Sequence, residues 1–77
     1  MNYLKHYADQ VAAISKDMKA GNISIEEGAI RLQAVAVLAE ESAGTVDDPV
    51  YFAHLNKMAD KIYSVIDKMV PEHRIIQ

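Results

Sequence analysis

The stretch Lys19-Ala20-Gly21-Asn22-Ile23-Ser24-Ile25-Glu26-Glu27 decides the fold, because it reads as the end of one helix and the start of the next. Lys16 and Lys19 place cations in a last turn, where they suit the helix dipole, and Gly21-Asn22 supplies the left-handed residue on which helices commonly end. Ser24, followed three residues later by Glu27, is a capping box: the hydroxyl accepts from the Glu27 amide and the Glu27 side chain reaches back. Arg31 adds an i,i+4 partner for Glu27. So short a connection between two helices predicts an αα-hairpin.

Upstream of this turn, Leu4, Tyr7, Val11, Ile14 and Met18 recur at 3–4–3–4 spacing and predict a helix over about 2–20 with one apolar stripe. Downstream, a helix over about 25–43 carries two. Ile25, Ala29, Leu32, Ala36, Ala39 and Ala43 form the first, whereas Ile30, Ala34 and Val37 lie well round the cylinder, with Val35 and Leu38 elsewhere again. A helix apolar on most sides is buried on most sides, and two neighbours in one chain seldom cover it completely. Ile30, Ala34, Val37 and Leu38 are therefore the candidate self-association residues. The small Gly28, Ala29, Ala36 and Ala39 would let a partner backbone approach closely.

Ser42 to Pro49 is the main break. Gly44 suits a C-cap, and Asp48-Pro49 reads as N-cap and first residue of a third helix over about 49–70, which Pro71 stops. Tyr51, Leu55, Met58, Ile62, Val65 and Met69 form its stripe, widened by Phe52, Ala59, Ile66 and Val70. The tail, 71–77, could dock through Ile75 and Ile76 or fray. The expected architecture is all-α: one domain over 1–77, three antiparallel helices in which an αα-hairpin precedes a longer third helix, in a bundle completed by dimerisation.

Size supports the need for a partner. A 77-residue domain seldom draws more than about 3–5 kcal/mol from its core without a staple, and the chain has no cysteine to form one. The hydrophobic fraction of 51% argues against disorder. The longest apolar run, Ala34 to Ala39, is six residues, against the roughly twenty of a membrane span. With no signal-peptide h-region at the start, the expected location is cytoplasmic, with no membrane partner.

The search for chemistry predicts a non-enzyme without cofactor. His6, His54 and His73 are far apart and lack the i,i+4 partner of a helical metal site. Serines 15, 24, 42 and 64 have no nucleophile context, and Gly21, Gly28 and Gly44 form no phosphate loop. Paired carboxylates work as acids and bases only in a pocket that perturbs them.

Charge is distributed unevenly. Of the formal net charge of −3, the segment Glu26–Asp48 holds six acids and one base, which leaves +2 for the remainder. Glu40 and Glu41 lie in a last turn, where the dipole disfavours anions. With Asp47, Asp48 and Tyr51 across the loop they are the candidate contact with a protein partner that presents a basic surface. Net charge −3 and a pI near 5.4 disfavour nucleic acid. The glycine-containing turn nevertheless keeps a helix-turn-helix transcriptional regulator as the alternative. Against it, Glu26 and Glu27 stand where a recognition helix needs base-reading side chains, and Asn56, Lys57 and Lys61 alternate with acids.

The stretch Met18–Ala34 resembles the hairpin turn of several small helical subunits, the exonuclease VII small subunit among them, over under a quarter of the chain. The likeness rests on capping chemistry that any αα-hairpin uses, and it assigns no family. The expectation is a small protein-binding regulator or inhibitor acting by occupying a partner's surface. Small acidic helical proteins of this kind are common among phage and mobile-element products. A structural assembly subunit is the third reading.

Overall fold

The computed structural model describes residues 2–70, and the 71–77 tail expected to dock or fray lies outside them. Three helices, α1 (Tyr3–Lys19), α2 (Ile25–Ala43) and α3 (Pro49–Met69), account for most of the described chain. Their bounds differ from the periodicity only at the capping residues Asn2, Ala20 and Val70, which flank α1 and α3.

Each terminus follows from local chemistry. At the α1–α2 turn, Gly21 has φ +79°, its N–H donates to the Met18 carbonyl at 3.1 Å, and the Asn22 N–H donates to Asp17 at 2.9 Å. Those two bonds are a Schellman cap, which satisfies carbonyls the helix itself leaves open. The Ser24 hydroxyl accepts from the Glu27 amide at 3.0 Å. The Glu27 carboxylate takes the Arg31 Nε–H at 3.0 Å, so the ion pair holds the group that the capping box would use. Gly44 caps α2, but with φ −68°, a conformation open to any residue. Asp48 caps α3 by accepting from Val50 at 2.9 Å.

α2 is the central element and carries most of the packing; α1 and α3 each lie against it and scarcely touch each other. Met18, at the end of α1, sits against Gly28 at the start of α2. Tyr7, near the start of α1, reaches Ser42 Oγ at 2.6 Å and the Leu38 carbonyl at 3.4 Å near the end of α2. The Cα trace spans 38 × 27 × 14 Å, so the helices form a bent layer rather than a closed triangle.

The core is Tyr7 and Ile14 from α1, the alanine-rich face of α2 with Leu32 and Val35, and Leu55, Ala59, Ile62 and Ile66 from α3. Ala29, Ala36 and Ala39 are fully buried inside this one chain. The close approach that these alanines permit is therefore made by the chain's own helices. Gly28 is filled in the same way: a Cβ built there would collide with the Met18 side chain.

Candidate functional site

Besides the exposed Ile25, Val50 and Phe52, the described residues present two apolar surfaces on different sides of α2. The first is its outer face, where Ile30, Val37 and Leu38 are 54%, 40% and 44% exposed and Ala34 is exposed between them. These are the four residues singled out by their position round the cylinder, and the fold leaves all of them in solvent. Glu26 and Glu41, both exposed, stand towards the two ends of this face.

The acidic corner is more heterogeneous than its composition suggests. Glu40, Glu41, Asp47 and Asp48 are all exposed. Glu40 accepts from the Tyr63 hydroxyl at 2.9 Å, which offsets its unfavourable place at a helix C-terminus. Asp48 is occupied as the α3 cap. Tyr51 turns towards α1: its hydroxyl accepts from the Tyr3 N–H at 2.6 Å and from the Leu4 N–H at 3.4 Å. Asn2 Oδ1 accepts from Lys5 N–H at 3.1 Å, so the first three amides of α1 are all satisfied, two of them by a side chain 47 and 48 residues away. Tyr51 also meets the Tyr3 ring edge-on at 6.4 Å. Of the five candidate contact residues, Glu41 and Asp47 carry no such internal role among the described residues.

The second surface was not legible in the periodicity. Because α1 and α3 do not close on each other, an open groove of about 550 Å³ runs between them. Leu32 and Ile62 form its floor. Leu4, Val11 and Ala12 line one wall; His54, Met58 and Val65 line the other, with Lys57 and Lys61 on its lip. Val11 and Met58 are half-buried and Val65 is 48% exposed, so part of each expected core stripe faces an opening instead. The one available signal was the breadth of the α3 stripe, wider than a single neighbouring helix covers.

Among the described residues, the serines and histidines do not assemble into a site. Ser24 is a cap and Ser42 pairs with Tyr7. Exposed His6 lies against the Tyr7 ring at 5.4 Å; His54 is on the groove wall, and His73 lies outside the described residues. Among the described residues no group of three or more His, Cys, Asp or Glu side chains is placed to hold a metal ion. Lys5 donates to Asp9 at 2.8 Å, and this hydrogen bond together with the carboxylate's charge raises its pKa above the ordinary 10.5. The pair is fully in solvent and is screened there. No described helix is long and apolar enough to cross a membrane. No family model, curated protein or solved structure matches this chain.

Proposed function

We propose that this chain is a small non-enzymatic protein-binding module, a regulator or inhibitor that acts by occupying a partner's surface, and that it works as a homodimer. The observation that carries the reading is the row Ile30, Ala34, Val37 and Leu38, an apolar face on the central helix that stands exposed among the described residues. Soluble monomers seldom leave contiguous apolar surface of this kind without a use. In this reading the helices run antiparallel to their chain neighbours, a sense favoured by the Met18–Gly28 and Tyr7–Ser42 contacts at opposite ends of the α1–α2 seam. A second copy then completes the bundle across the outer face of α2.

Dimerisation leaves Asp47 of the acidic corner clear for the partner, with Glu41 at the margin of the dimer face. Light scattering on the size-exclusion peak tests the first step. A mass near twice the 8.5 kDa chain is expected, and Val37→Glu with Leu38→Glu should halve it without loss of helical circular dichroism. A wild-type monomer up to near-millimolar protein would remove the homodimer. Partner capture that survives charge reversal at Glu41 and Asp47 would remove the acidic corner.

A further inference from the structure

The groove between α1 and α3 has two walls of equal length and equal period. One runs from Leu4 to Ser15 and the other from His54 to Val65, each spanning three turns, about 16 Å at 1.5 Å per residue. Rows repeating at three- and four-residue intervals on two neighbouring helices make two parallel ridges with a furrow between them. What interdigitates with such a furrow is a third ridge of the same period, another helix. Leu32 of α2 lies beneath, so α1, α2 and α3 occupy three corners of a four-helix arrangement and the furrow is the fourth. Pockets for small ligands enclose most of their guest, whereas this one is open along its length.

Charge narrows the choice of guest. Among the described residues no Asp or Glu lines the furrow, and Lys57 and Lys61, both exposed, stand one turn apart on its α3 lip. Lys68 continues their row by its spacing, while Asp60, three residues beyond Lys57, lies beside that row without lining the furrow. Neither Lys57 nor Lys61 has an ion-pair partner among the described residues.

We propose that the furrow docks an amphipathic helix of a partner protein, about three turns long, whose apolar face is edged by Asp or Glu at i,i+4 opposite Lys57 and Lys61. The site is independent of the proposed homodimer. Leu32 lies on the inner side of α2, and Ile30, Ala34, Val37 and Leu38 lie on its outer side, so both surfaces can be occupied at once.

The test is selection from a helical peptide library with a fixed apolar stripe and edge positions varied among Glu, Lys, Gln and Ala, followed by fluorescence anisotropy on the full chain. The expected winners carry Glu at i,i+4. They bind Lys57→Glu/Lys61→Glu roughly five- to tenfold more weakly, and replacing their Glu by Lys restores binding to that variant. Both lysines are exposed, so unchanged circular dichroism verifies that the variant is folded. Three outcomes overturn the proposal: no enrichment over the doubly substituted chain, enrichment of Lys, or binding indifferent to the substitutions. Two further results would assign the furrow elsewhere and overturn it equally. Masses growing beyond the dimer with concentration, and abolished by Lys57→Glu/Lys61→Glu, would give it to the α2 of a second copy. Dodecanoate shifting the NMR signals of Met58 and Val65 while no selected peptide does would give it to an aliphatic carboxylate.

Discussion

The seam between α2 and α3 and the seam between α1 and α3 are written in the same kind of sequence, yet one is closed and the other open. In the first, Ala36 and Ala39 of α2 and Leu55, Ala59 and Ile66 of α3 belong to one core, and every one of these residues is essentially inaccessible to water. In the second, Leu4, Val11, Met58 and Val65 remain partly or largely exposed. The difference lies in the element between them. α2 offers alanines on its inner face, so α1 and α3 are each drawn down onto it, and being drawn to α2 from two sides holds them apart from each other. An apolar stripe therefore marks a surface to be covered, and whether the chain itself covers it depends on what neighbouring helices can reach.

Ile66 and Val65 put that contrast on adjacent residues. Ile66 is 1% exposed and belongs to the closed seam; Val65 is 48% exposed and belongs to the open one. Ile66→Ala should destabilise by about 2–5 kcal/mol, comparable with the total stability of so small a domain, and leave the chain largely unfolded in urea titrations. Val65→Ala should cost about 0.5 kcal/mol, because half of the side chain is already in water. Equal losses at the two positions would mean that the groove closes in solution.

Gly28 sharpens the comparison at the α1–α2 seam. Gly28→Ala improves helix propensity by up to about 1 kcal/mol but drives its methyl into Met18, an overpacking that typically costs about 1–3 kcal/mol. A net loss of about 1 kcal/mol is expected in thermal and chemical denaturation. Adding Met18→Ala should make the double variant lose less than the two single losses together, because the collision is gone. A Gly28→Ala variant as stable as propensity alone implies would show that this seam, like the α1–α3 one, has room to spare.

The smallest effects separate the two turns. Gly21 holds φ +79°, so Gly21→Ala should destabilise by about 1 kcal/mol. Gly44 is right-handed, and a Cβ there meets only the Glu41 carbonyl at 3.5 Å, an ordinary contact. Gly44→Ala should raise stability by about 0.4–1 kcal/mol by restricting the unfolded chain. Opposite signs in the melting temperatures would verify that only the first turn depends on its glycine.

Sequence by itself determined what is local. The helix limits, the Ser24 and Asp48 caps, the left-handed Gly21 and the amphipathic stripe of α1 all rest on interactions within about four residues, which spacing and residue type settle. It also placed Ile30, Ala34, Val37 and Leu38 off the main stripe of α2, because angular position round a helix follows from numbering alone. Only tertiary structure decided which apolar residues stay wet. Tyr51 caps α1 from 48 residues away, Met18 takes the space at Gly28, and Val65 faces a groove while Ile66 is sealed, since each outcome depends on how far two helices stand apart. That distance is set by the side chains of a third helix, and no pattern within one helix contains it.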